Sequence, residues 1–188
     1  TKMLFTFGVT LVLSLAMIGV SIRTILSVRS NYESILSNQV KMTEAVLESG
    51  MEVNSIARQL RDMALFGYDS STMDSIQDSI NTIDADTNTI DTLYTGTDGM
   101  AQQYINEVKD WESTFTDIDQ ALQANDSARV AQLIQNQCTP KLNQAVSTGQ
   151  SLIAQLTSQS NQLTDQAESS CTQEIVILCV LIAIIIIG

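Results

Sequence analysis

Apolar residues recur along this chain at steps of three and four, the spacing of one face of an α-helix. In the first stretch they are Tyr32, Ile35, Leu36, Val40, Val46, Leu47, Val53, Ala57, Leu60 and Ala64, with Thr43 and Gly50 in the same columns. A second stretch carries Met73, Ile76, Ile80, Ile83, Ile90 and Tyr94, and a third carries Tyr104, Val108, Trp111, Phe115, Ile118 and Leu122. The fourth runs through Leu142, Val146, Gly149, Ile153, Leu156, Leu163 and Ala167. Seams of this kind pack against other helices at shallow crossing angles. Turn chemistry separates them: Gly67 stops the first and Ser70 and Ser71 offer caps for the second, Gly96 and Gly99 fall in the next break, and Asn125 and Asp126 in the last. Polar loops this short join antiparallel neighbours. The pattern predicts an all-α fold, an up-down-up-down four-helix bundle.

Lengths add to the pattern. Residues 23–67 would make about 67 Å of helix and residues 127–174 about 72 Å, whereas 71–94 and 98–124 would reach only about 36–40 Å. Each long helix adjoins an uncharged apolar run. Residues 3–22 would reach about 30 Å, the thickness of a hydrocarbon core, and predict a first transmembrane helix over 1–22. A cleaved signal peptide is the rival reading, with Ser14-Leu15-Ala16 as its cleavage site, but the apolar run continues through Met17, Ile18 and Val20. Residues 175–188, IVILCVLIAIIIIG, read as the start of a second span that the sequence cuts short, with a buried core strand as the alternative. The chain begins at Thr1 and ends inside this run, so it reads as a fragment of a longer protein.

Between these runs, residues 23–174 hold all 21 acidic residues and eight of the nine basic ones, a net charge of −13. Short cytoplasmic loops are rich in Lys and Arg, so this acidic segment is expected outside, although Arg23 and Arg29 sit on the unfavourable side. The expected localisation is the bacterial inner membrane, two-pass, with 23–174 as an extracytoplasmic sensor domain. The unequal helix lengths predict a two-helix stalk below the four-helix part. Two helices bury little apolar surface in water, so a second copy should pair with the stalk as a homodimer.

Composition narrows the chemistry. The chain contains no His, the commonest general base and metal ligand, and its formal net charge is −12, which argues against nucleic acid as a partner. Cys138, Cys171 and Cys179 form no CxxC pair and read as small buried hydrophobes. Asp84 and Asp86, like Asp117 and Asp119, are two apart on a helix and point about 200° from one another, so neither pair chelates. No nucleophile elbow, phosphate loop or triad is present. The expectation is a non-enzyme without cofactor or metal.

Arg58 and Arg61 are i and i+3 and share a helix face. Arg58 lies nine residues before Gly67 and Thr139 lies twelve after Ser127, each about 14–18 Å from the distal end of its helix. Trp111 and Phe115 fall at a similar height on the third helix. A basic pair beside aromatics suggests a site for a small anion. The bland alternative is that the arginines pair with Asp62 or other acids and that Trp111 and Phe115 are core.

The order of span, long helix, two shorter helices, long helix and span resembles the four-helix-bundle ligand-binding domain of methyl-accepting chemotaxis proteins. The Arg-bearing segment Asn54-Ser55-Ile56-Ala57-Arg58-Gln59-Leu60-Arg61-Asp62-Met63-Ala64-Leu65 resembles the end of the family's first helix, and Cys138-Thr139-Pro140-Lys141-Leu142 the start of its fourth. The resemblance implies a ligand-sensing receptor that passes small-molecule binding to a cytoplasmic signalling domain, and its kinase-control machinery, by helix displacement. It also implies ligand contacts from Arg58, Arg61 and Thr139, to which the height argument adds Trp111, and a carboxylate or amino acid as ligand. The aspartate-sensing pattern has three arginines; this chain has two, at different spacing. The same module serves sensor histidine kinases and diguanylate cyclases. The remaining alternative is a partner-binding or structural ectodomain.

Overall fold

The computed structural model describes residues 2–187; the side chains of residues 1–13, 16, 17, 20, 24, 27, 28, 30, 31, 34, 174, 178 and 181–188 lie outside the description. All regular structure in the described residues is helical, and the fold is all-α. Helix α1 spans Lys2–Phe66, α2 Ser70–Leu93, α3 Met100–Glu112, α4 Phe115–Gln123 and α5 Ser127–Leu133. A π-helical turn over Ile134–Cys138 leads into α6, Thr139–Ile187.

The helix ends follow from local chemistry. Gly67 takes a φ of +102° and donates its N–H to the Met63 carbonyl at 2.9 Å, a conformation that favours glycine and closes α1. The cap of α2 is Asp69 rather than a serine: its carboxylate accepts from the backbone N–H groups of Ser71 and Thr72, and the hydroxyls of Thr72 and Ser71, which also donate to it, do most to hold it below the usual carboxylate range. Between α2 and α3 the Tyr94 ring lies where a side chain on Gly96 would project, with ring atoms 2.5 Å from that position, so any larger residue would displace the ring. Asp126 caps α5 by accepting from the Arg129 N–H at 2.9 Å.

Two breaks depart from the pattern expected over 98–124 and 127–174. The helix predicted over 98–124 is interrupted at Ser113 and Thr114. Both hydroxyls turn back onto their own chain, Ser113 donating to the Asp110 carbonyl at 2.6 Å and the buried Thr114 to the Trp111 carbonyl at 2.7 Å. Such bonds compete with the helical ladder. The helix predicted over 127–174 is widened by the π-turn, where the Thr139 N–H bonds the Ile134 carbonyl. Pro140 has no N–H to continue the regular ladder, and the extra residue absorbs the mismatch.

Two compact units divide the chain. Residues 38–157 form the first, whose core draws on every helix: Val53, Ile56 and Leu60 from α1, Ile76, Ile83 and Ile90 from α2, Tyr104, Val108 and Trp111 from α3, Ile118 from α4, Val130 from α5, and Leu152 and Leu156 from α6. The buried face of α1 is narrower than the expected seam. Val46, Val53, Ala57 and Leu60 are in the core, whereas Leu36, Val40, Leu47 and Met51 are 36, 49, 51 and 65 % exposed. Helix α1 thus carries two adjacent apolar stripes, and within the described chain one of them is uncovered. The second unit comprises residues 1–37 and 158–188. In it Arg29 pairs with Glu33 one turn on, at 2.8 Å, and the Tyr32 phenol lies against the Ala167 backbone.

Among the described residues, no helix is long and apolar enough to cross a membrane. This overturns the two-pass inner-membrane localisation expected from the sequence. The physical reason is length. The described side chains of the first apolar run extend only from Ser14 to Ile22 before Arg23, and those of the last from Ile175 to Val180. A span needs about 20 residues. The remaining residues of both expected spans, 1–13 and 181–188, lie outside the described side chains.

Candidate ligand site beside the helical turn

The π-turn delivers Cys138 into the core against α3. Cys138 is 1 % exposed and Trp111 is completely buried. Phe115, the first residue of α4, meets Trp111 edge to face at 4.6 Å between ring centroids with the planes 82° apart, the geometry that aromatic quadrupoles favour. Burial pushes the Cys138 thiol up; the Trp111 indole N–H, the Thr114 hydroxyl and the charge of Arg61 pull the other way. The break between α3 and α4 and the π-turn before α6 therefore place Trp111, Thr114 and Cys138 side by side, within the electrostatic reach of Arg61.

Three of the four residues singled out in the sequence thus fall in one neighbourhood. Trp111 is buried at its centre. Thr139 follows Cys138 directly and is half-buried at the first position of α6. Arg61 is exposed on the last turns of α1, its Nε donating to the Ala57 carbonyl at 3.2 Å. Arg58 is also exposed, one turn earlier, and it is Arg61, not Arg58, whose charge acts on Cys138. The alternative pairing of these arginines with acidic neighbours is not seen: among the described residues the ion pairs are Arg29–Glu33 and Lys141–Asp110. Lys141, a basic group that the sequence reading left aside, is thereby neutralised. It bridges α6 to α3 through Asp110 Oδ1 at 2.8 Å, reinforced by Gln144 donating to Glu107 at 2.9 Å. Two arginines on one face without a carboxylate partner, in a chain so rich in carboxylates, can offer four or more N–H donors to an anion.

The acidic residues are distributed differently from the basic ones. Asp86 on α2 faces Glu48 and Glu52 of α1, and burial followed by these like charges pushes its carboxyl up to about 6. Glu112, at the end of α3, is pushed up to about 7, by burial first and Asp84 second, with Lys109 opposing. Neither carboxyl is among the groups that shift the Cys138 thiol, although Glu112 directly follows Trp111.

A cavity that sequence reasoning missed lies closer to the middle of α1. It has a volume of about 200 Å³ and is bounded by α1, α3 and α6 around Gly50, Tyr104 and Gly149. Its signal was present in the pattern: two seam positions, one on each long helix, are glycine. Tyr104 is held in place by a 2.7 Å hydrogen bond between its hydroxyl and that of the buried Ser49, which also donates to the Ala45 carbonyl. Compared with known proteins, the chain matches no family model, no curated protein and no solved structure.

Proposed function

We propose that this chain is a ligand-sensing module, similar in design to the four-helix-bundle ligand-binding domain of methyl-accepting chemotaxis proteins. In this reading α1, α2, the broken pair α3–α4, and α5 with α6 make the four antiparallel members. The ligand is a small carboxylate or amino acid, held by Arg58 and Arg61 beside Trp111 and Thr139. The observation that carries the reading is Arg61, without an acidic partner and with its charge reaching Cys138 beside Trp111, and Arg58, likewise unpaired, one turn before it. Binding there would bias the packing of α6 at the π-turn, and α6 continues from that turn to Ile187 as one helix. A shift of about 1–2 Å between packed helices is the usual size of such a response. The output is a signalling domain outside this chain: chemotactic kinase control, a histidine kinase or a diguanylate cyclase. The uncovered residues Ile35, Leu36 and Val40 of α1 support a homodimer that leaves Leu47 and Met51 free.

The test is a thermal-shift panel of aspartate, succinate and other small carboxylates. A compound that binds only the folded state raises the melting temperature. At least one should do so in the parent chain, and Arg58→Ala with Arg61→Ala should remove the shift while leaving the compound-free transition in place. A shift that survives both changes would move the site elsewhere.

A second reading rests on a separate observation. Leu65 and Phe66 are 76 and 86 % exposed at the end of α1, next to Tyr68 in the turn to α2. Large apolar side chains clustered on a turn suit a partner-binding surface. Leu65→Ser with Phe66→Ser would abolish activity under that reading and leave carboxylate binding unchanged under the first.

A further inference from the structure

The cavity between α1, α3 and α6 is built by omission. A Cβ added at Gly50 would meet no atom within 4 Å, so the missing side chain leaves open space. Across it, Gly149 lets the Tyr104 ring approach so closely that a Cβ there would lie 2.9 Å from Cε2. The walls are apolar apart from Asn54 and Gln150, and no charged residue lines them. Asn54 spends its amide N–H on the Gly50 carbonyl at 2.7 Å, which leaves its side-chain oxygen as an acceptor. Tyr104 is fixed by Ser49, so the inner wall is in place before anything enters.

From these features we infer that the cavity binds a small, neutral, ring-bearing molecule, a site distinct from the arginine site in both position and ligand class. A volume of about 200 Å³ suits a single aromatic ring with a small substituent, entering from the open side where the lining residues Leu47 and Met51 are exposed. An anion is a poor occupant, because no cation is present to offset its desolvation. A ring would lie against Tyr104, with a donor group directed to Asn54. The site touches both long helices, so its occupancy would bear on the same α1–α6 packing that the proposed sensing uses. The binding inference itself does not require that reading.

The experiment uses the full chain and phenol as the probe, with binding followed by titration calorimetry and by the ring resonances of Tyr104. The discriminating variant is Gly50→Leu, whose side chain enters the open space and replaces a helical glycine, so the fold is retained. Phenol should bind the parent saturably, shift the Tyr104 resonances, and lose measurable binding in Gly50→Leu. It should bind Arg58→Ala and Arg61→Ala as it binds the parent, so failure here and failure of the carboxylate panel are separate results. Absence of phenol binding to the parent, or binding that persists in Gly50→Leu, overturns the inference. A parent that is dimeric and excludes phenol, with Gly50→Leu becoming monomeric, would overturn it in favour of a second copy as the occupant.

Discussion

The two glycines that border the cavity should respond to the same substitution with opposite signs. Both lie in helices, and replacing a helical glycine by alanine stabilises by about 1 kcal/mol through backbone entropy and propensity. At Gly50 nothing opposes that gain, because the new Cβ reaches no atom within 4 Å. At Gly149 the new Cβ would lie 2.9 Å from Tyr104 Cε2 and 3.4 Å from both Tyr104 Cδ2 and Val46 Cγ1. Tyr104 is only 2 % exposed and its hydroxyl is tied to Ser49 at 2.7 Å. Moving its ring costs packing, about 1–3 kcal/mol for overfilled cores, and weakens a buried hydrogen bond contributing about 1 kcal/mol. The net expectation is that Gly50→Ala stabilises by about 1 kcal/mol and Gly149→Ala destabilises by about 1–2 kcal/mol. Urea unfolding followed by circular dichroism measures both, with the midpoint moving and the slope unchanged. If the two variants shift in the same direction by similar amounts, the packing of Tyr104 between α1 and α6 is not as described.

Stability should fall as pH rises through the window set by Glu112. Its carboxyl is raised from 4.5 to about 7 in the folded chain, so between those values the native state holds a proton that the unfolded state has lost, and raising pH favours unfolding. Glu112 is partly solvated, so the effect is no more than about 1–2 kcal/mol between pH 5 and pH 8. Glu112→Gln should reduce this slope in unfolding titrations and leave the part that Asp86, raised to about 6, contributes; a slope that persists unchanged would assign it elsewhere. The uncovered stripe of α1 predicts self-association: with Cys138, Cys171 and Cys179 replaced, a single cysteine at Ile35 or Leu36 should give a covalent dimer on mild oxidation, whereas one at the buried Ile56 should not.

Much of the helical plan was legible because its signals are local. The period of three and four located the amphipathic stretches, and Gly67, the glycines around 96–99 and Asp126 marked the breaks. What was not legible depended on competition between neighbours. Ser113 and Thr114 sit inside an unbroken apolar pattern, and only their turned-back hydroxyls reveal the interruption of α3 and α4. Pro140 was visible as a residue, but the π-turn it accompanies, five residues long and upstream of it, was not. The seam of α1 was read as one face; the fold resolves it into a buried and an exposed stripe, a division that periodicity alone cannot make when both columns are apolar. Near Cys138 the structure brings together Trp111, Thr114 and the charge of Arg61, and Thr139 is the next residue along the chain. The contribution of Cys138 was missed, since a lone cysteine in a sequence carries no sign of what surrounds it. The membrane assignment rested on the apolar runs at the two ends, whose described portions are too short to span.

The sensing claim can be tested most directly through Trp111, the only tryptophan in the chain. Its indole is fully buried beside Cys138, in the neighbourhood where Arg61 exerts its charge, so a carboxylate seated there would change its surroundings. The measurement is a fluorescence titration of the parent chain and of the Arg58→Ala, Arg61→Ala double variant with aspartate and succinate. The account predicts a saturable change in Trp111 emission for at least one of them in the parent, absent from the double variant. An unchanged spectrum with both compounds at millimolar concentration, or an equal change in the double variant, would contradict it.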